Sequence, residues 1–175
     1  MNIFLIGYMY SGKTVVAHKL SQRLGYGHLD LDQFFEFTLH TSIPIFFQRY
    51  GEEAFRKLEQ KMLHDLPLDR DLVIATGGGT PCYFDNMDYI NAHGTSIYLK
   101  ASPELIIRRA LGSRKPRPIL KGKSPDELDT FVRQQMALRE PYYAQARYTF
   151  PADDPGLIPA ILSALSLPKH NTTTP

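Results

Sequence analysis

The chain has 175 residues, 43% of them hydrophobic and 22% charged, which suits one soluble globular domain with a sizeable core and leaves no room for two ordinary ones. A net charge of only +2 gives no whole-molecule field that would gather nucleic acid. The single cysteine, Cys82, excludes an intramolecular disulfide and a Cys-rich metal site and fits a reducing compartment.

Residues 2–6 read as a short buried strand, too brief and too poor in flanking bases for a secretory leader. No stretch approaches the roughly 18 apolar residues of a membrane span, so the expected setting is the cytoplasm. Lys13–Leu24 reads as a helix with Val16, Leu20 and Leu24 stacked at i, i+4, ended by Gly25 and Gly27. "HLDLD" is a second strand or its exit, and residues 32–40 and 43–64 look helical. "LVIAT" (72–76) and "TSIYLK" (95–100) are further strands, the first closed by Gly77-Gly78-Gly79. Ser102 caps a helix with Pro103 in its first turn, and "SPDE" at 124–127 has the spacing of a capping box opening a helix toward residue 146. "RYTF" (147–150) is a fifth strand, and "DDPG" opens a last helix. Strands separated by helices imply an α/β fold, three layers deep, with a five-stranded parallel sheet. One domain is expected over residues 1–168, with a disordered polar tail at 169–175. The segment 112–123, "GSRKPRPILKGK", carries five Lys or Arg and no acid, and reads as a mobile basic lid.

The chemistry begins at Gly7-x-x-x-x-Gly12-Lys13-Thr14, the spacing of a phosphate-binding loop between a strand and a helix. Gly7 turns the chain, Gly12 lets backbone N–H groups approach phosphate, and the helix N-terminus adds a favourable dipole. Lys13 can reach the β- and γ-phosphates of ATP, and the Thr14 hydroxyl can ligate Mg²⁺. Tyr10, Ser11, Gly12, Lys13, Thr14 and Val15 are therefore the expected ATP contacts. Tyr10 is a bulky ring where such a loop more comfortably takes glycine; it is tolerable if its backbone avoids the left-handed region.

Asp30-x-Asp32 follows the second strand. Strand alternation would point both carboxylates to one side, one toward Mg²⁺ and one toward an acceptor hydroxyl; alone, the pattern equally fits a solvated strand exit or a helix cap. In "GEEAFRKLE" (51–59), Arg56 and Glu59 share a helix face, either as a surface ion pair or as an arginine held to clamp a carboxylate. Three glycines after an apolar strand imply something approaching the backbone closely. Arg117, between Pro116 and Pro118, could fold over a transferring phosphate. Arg139, opening "REPYY", could by itself simply cap a helix.

Taken in order, Gly7–Thr14, Asp30-x-Asp32, "GEEAFRKLE", "ATGGG", "RPIL" (117–120) and "REPYY" resemble the shikimate kinase family over residues 2 to about 165. The resemblance implies a fold related to nucleoside monophosphate kinases, with a lid and substrate-binding helices. It implies transfer of the γ-phosphoryl of ATP to the 3-hydroxyl of shikimate, with Mg²⁺, in the route to aromatic amino acids. It further implies that Asp32 holds the shikimate hydroxyls and takes a proton, with Lys13 and Arg117 assisting transfer. Arg56 and Arg139 would grip the carboxylate, with the backbone at Gly77, Gly78 and Gly79 and the rings of Phe47 and Phe55 around it. Thr14 would bind the metal, with Asp30 acting through water. The expected partners are the two small molecules, without nucleic acid or membrane, and the expected state is a monomer. Tyr10, Pro44 and Ile45 depart from the family pattern, and Arg109 aligns poorly with its adenine-covering arginine. The alternatives are another small-molecule kinase of this fold, acting on gluconate or a nucleoside monophosphate, or a nucleotide-binding module that has lost catalysis.

Overall fold

The computed structural model describes residues 1–113 and 122–166. Its centre is β1 (Ile3–Ile6), whose four side chains are fully buried. A short run without polar alternation cannot sit at a wet face, and each such side chain contributes about 1.5–3 kcal/mol of burial. β1 lies between β3 (Leu72–Ala75) and β4 (Thr95–Lys100), flanked in turn by β2 (Gly27–Asp30) and β5 (Tyr148–Pro151). All four pairings are parallel. In the order β2-β3-β1-β4-β5 the chain runs from β1 to the edge strand β2, returns inward through β3, and then crosses to β4 and β5 on the other side. Such a switch point opens a crevice at the carboxyl ends of the strands, where ligands bind in open α/β sheets.

Helix α1 (Lys13–Leu24) follows β1 and buries Val16, Ala17 and Leu20; Gly25, at φ 70°, ends it and donates its N–H to the Ser21 carbonyl. Helix α2 (Leu31–Leu39) starts directly after β2, capped by Asp30. The stretch expected as one helix over 43–64 is two helical pieces merged as α3 (Ile43–His64), joined at Gly51, whose φ 79° and ψ 172° are not helical. A glycine takes that conformation without the clash a Cβ would bring.

After β3 comes a single 3₁₀ turn (Thr80–Cys82) and then α4 (Asn86–His93). Neither is signalled by the sequence pattern. Helix α4 has eight residues, buries only Asn86, Met87 and Ile90, and lacks a side-chain cap, so it shows little helical signature. Helices α5 (Pro103–Leu111) and α6 (Pro125–Tyr143) begin where the caps predict: the Ser102 hydroxyl accepts from Leu105, and Ser124 and Glu127 form the reciprocal capping box. Helix α7 (Leu157–Ser166) closes the described chain, with Ile161 wholly buried. Most of the basic segment at 112–123, with Arg117, and the polar tail lie outside the described residues.

Candidate active site

The loop from β1 to α1 is built largely of backbone. A Cβ on Gly7 would lie 2.8 Å from the Leu99 carbonyl oxygen, so only glycine lets the loop lie against β4. Gly12, at φ 100°, stands at the N-terminus of α1, where no side chain caps the helix and no acid occupies the first turn. Its leading N–H groups and dipole are thereby left to an anion. Lys13 is buried, and its Nζ donates to the carbonyls of Gly7 (2.7 Å) and Tyr8 (2.9 Å), bracing the loop from inside. Ser11 Oγ is buried without a hydrogen-bond partner among the described residues, whereas Val15 points outward, 58% exposed.

Tyr10 does not escape the left-handed region: its φ is 61°, a conformation that costs an L-residue roughly 1–2 kcal/mol. The surroundings hold it there. Arg109, from α5, donates through one Nη1 to the carbonyls of Tyr10 (2.9 Å) and Ser11 (3.0 Å), and through Nη2 to Ala152 (3.4 Å). One guanidinium ties the phosphate loop to the turn after β5.

Asp30 and Asp32 do not share a strand face. The side chain of Asp30 accepts from the Gln33 N–H and from the Thr14 hydroxyl (2.6 Å), so β2 ends there and Asp32 rides the first turn of α2. Helix capping overrides the alternation expected from the Asp-x-Asp spacing. The two carboxylates still take separate positions, Asp30 facing the phosphate loop and Asp32 turning toward the glycine triplet.

The triplet is the hub. A Cβ on Gly77 would fall 2.7 Å from Asp32 Oδ1 and 2.9 Å from Glu59 Oε1; on Gly78, 3.2 Å from the Met9 nitrogen and 3.5 Å from Arg139 Nη1; on Gly79, 2.6 Å from both Nη atoms of Arg56. None of the three has a positive φ. These glycines are required for space rather than for backbone freedom: Gly77 admits Asp32 and Glu59, Gly78 admits Arg139, and Gly79 admits Arg56. Gly78 also puts this cluster directly against the phosphate loop.

Arg56 and Glu59 are 8% and 3% exposed, which rules out a surface pair. Arg56 Nη1 donates to Glu59 Oε2 at 2.9 Å, while Glu59 Oε1 takes the Thr80 hydroxyl at 2.6 Å. Burial pushes the Glu59 carboxyl up against the pull of Arg56 and Thr80. Burial works against the Arg56 charge too, but Glu59 and Glu52 outweigh it and hold the guanidinium cationic. The guanidinium lies 4.2 Å from the centre of the Tyr83 ring and 5.0 Å from that of Phe55. Phe55 is itself buried in a cluster with Phe35, Phe46 and the half-buried Phe47. Arg139 packs its guanidinium 5.2 Å from the centre of the buried Tyr8 ring. Tyr143, one turn on, donates its hydroxyl to the Gly78 carbonyl. Burial, against the pull of Arg139, raises the Tyr143 phenol well above its ordinary range, and burial lifts the Cys82 thiol nearby to about 11.

The structure therefore brings together Asp32, Arg56, Arg139 and Gly77–Gly79 beside Gly12, Lys13 and Thr14. Glu52, Tyr83, Tyr8 and Tyr143 complete the surroundings without having been singled out from sequence. Tyr83 is delivered by the 3₁₀ turn, which leaves no spacing signal, and Tyr143 is legible only as part of "REPYY". Among the described residues no group of three or more His, Cys, Asp or Glu could hold a metal ion. The Thr14–Asp30 pair fits Mg²⁺, which takes one or two protein ligands and the remainder from phosphates and water.

A parallel sheet with a phosphate loop at its switch point, facing a carboxylate and two arginines, defines a phosphotransferase of the P-loop kinase class. The family model for shikimate kinase matches residues 9–156. The shikimate kinase of Parabacteroides distasonis is 43% identical over 151 residues, 86% of this chain and 87% of that protein. The crystal structure of the shikimate kinase from Bacteroides thetaiotaomicron superposes with a TM-score of 0.87 at 38% identity, covering 94% of this chain and 96% of that one. That of the Acinetobacter baumannii enzyme in complex with shikimate gives 0.85 at 33% identity, covering 94% and 92%. The chain belongs to the shikimate kinase family.

Proposed function

We propose that the chain transfers the γ-phosphoryl group of ATP to the 3-hydroxyl of shikimate, releasing ADP and 3-phosphoshikimate. The observation that carries this reading is the glycine triplet, which seats Asp32, Arg139 and Arg56 side by side against the phosphate loop. A small carboxylated polyol needs cationic forks for its carboxylate and an acceptor for its hydroxyls, and both lie within one residue's reach of the donor site.

In this reading the loop N–H groups and Lys13 hold the β- and γ-phosphates. The carbonyl contacts of Lys13 with Gly7 and Tyr8 are exchanged for phosphate oxygens when ATP enters. Arg56 and Arg139 fix the carboxylate end of shikimate, so its hydroxyls face Asp32. Of the two carboxylates near Gly77, Glu59 has both oxygens engaged and is almost fully buried. Asp32, whose Oδ1 borders the space that Gly77 leaves open, is taken as the base: it takes the 3-hydroxyl proton as that oxygen attacks the γ-phosphorus and the bond to the bridging oxygen breaks. Mg²⁺, held by Thr14 and through water by Asp30, would neutralise charge on the β- and γ-phosphates. Arg117 is assigned from its sequence position alone to the same role from the lid. The protein is taken to work as a single-domain monomer in the cytoplasm, in keeping with its lone cysteine.

The test is a coupled assay with ATP, Mg²⁺ and shikimate. Shikimate-dependent release of ADP is expected; ADP no higher than in the control without shikimate would overturn the assignment.

A further inference from the structure

The three-donor nest around Glu52 carries an inference that rests on the proposed function and extends it. Arg56 presents its Nε–Nη2 edge, the side-on fork that suits a carboxylate, and that edge is filled. Glu52 Oε1 accepts from Arg56 Nε (3.3 Å), from Arg56 Nη2 (3.1 Å) and from the Tyr83 hydroxyl (2.9 Å). We propose that Glu52 is an internal stand-in for the substrate carboxylate, and that binding exchanges it for shikimate on a nest formed by the Arg56 fork and the Tyr83 hydroxyl.

Charge and mobility distinguish Glu52 from Glu59. Two carboxylates already share one guanidinium, so a third anion arriving on that cation meets net repulsion unless one of them leaves. Glu59 cannot leave: its side chain is 3% exposed and also bonded to Thr80. Glu52 can: its side chain is 54% exposed and it directly follows Gly51, where α3 is already broken. Rotating it into water exchanges bonds to a buried guanidinium for hydration that its half-exposed carboxylate already partly has, and the fork it leaves is refilled by the incoming carboxylate. The flanking Phe55 and Tyr83 rings and Gly79 keep the guanidinium in place while its partner changes. Glu52 thus holds the empty fork in order and sets the affinity for the incoming acid. It is a positioning residue, and Tyr83 becomes a substrate contact.

Titration calorimetry with shikimate on the full chain tests this, alongside the ADP-release assay on the unaltered protein. Glu52→Gln removes the competing charge while keeping length, and shikimate should bind about tenfold more tightly, the lower end of what a hydrogen bond to a charged group is worth. The methyl ester of shikimate, which lacks the charge, should show no gain. Tyr83→Phe weakens both occupants of the nest in the unaltered protein and so should change affinity little; added to Glu52→Gln it should weaken shikimate binding clearly. Weaker or unchanged shikimate binding by Glu52→Gln, with a thermal melt showing it folded, would make Glu52 a brace and overturn the proposal. That result would leave the proposed function standing if the unaltered protein turns shikimate over; failure of the unaltered protein to do so would sink the function itself.

Discussion

In the proposed function the two ends of the crevice bind anions by opposite means. At the phosphate loop the donors are backbone N–H groups and a helix dipole; the side chains Lys13 and Arg109 are used to brace carbonyls of that loop. At the acceptor end the donors are guanidinium groups brought in from α3 and α6, and the backbone contributes chiefly by leaving space, through Gly77–Gly79. Backbone recognition is generic: it suits any phosphate chain and depends on local spacing. Side-chain recognition is specific: it fixes one carboxylated acceptor and depends on elements far apart in sequence. Damage at the donor end should therefore spare the affinity for shikimate, and damage at the acceptor end should spare the affinity for ATP.

The largest expected effect is at Lys13. Lys13→Met removes a cation that braces the loop and, in the proposed mechanism, meets the transferring group, and should lower kcat about 10³-fold, the scale seen for a transition-state charge donor. An effect below tenfold would place that charge elsewhere. Asp32→Asn comes next, with kcat down about 10²–10³-fold for loss of a general base, while ATP affinity measured by calorimetry stays within about twofold. An equal loss of ATP binding would tie Asp32 to the donor end instead and break the division. Arg139→Ala should raise the KM for shikimate by about 10–100-fold, the worth of a charge-assisted hydrogen bond of roughly 1.5–3 kcal/mol. A change confined to the KM for ATP would refute its place in the carboxylate clamp. Smaller again, Arg109→Met should weaken ATP binding about fivefold through the loop it ties down, at roughly 1 kcal/mol for the lost hydrogen bonds, with the KM for shikimate unmoved.

The same division explains which parts of the molecule are legible in the sequence. The loop Gly7–Thr14 and the caps Ser102 and Ser124 are local devices, and each appears where its spacing predicts. Arg56 and Glu59 are ambiguous in sequence because i, i+3 spacing is identical for a solvated pair and a buried clamp; only tertiary burial separates them. The strand alternation expected of Asp30 and Asp32 fails because a cap interrupts the strand between them. The break at Gly51 and helix α4 leave weak traces, one a lone glycine in an apolar pattern and the other two turns with three buried residues. Tyr83 and Tyr8 have no pattern at all: the ring of each meets a guanidinium placed by another element.

The smallest effect concerns Tyr10, which the donor end tolerates rather than exploits. Its left-handed φ should cost roughly 1 kcal/mol that a glycine would recover. Yet the ring is partly buried against the core, so removing it forfeits packing of similar size and a bare Tyr10→Gly comparison with the unaltered chain would read near zero. Two variants separate the contributions. Tyr10→Ala and Tyr10→Gly lose the same ring, and only the second relaxes the backbone, so the glycine variant should melt about 2–4 °C above the alanine variant, as roughly 1 kcal/mol does for a domain of this size. Equal melting temperatures would mean that the clasp of Arg109 on the Tyr10 carbonyl, and not the residue at that position, sets the conformation of the loop.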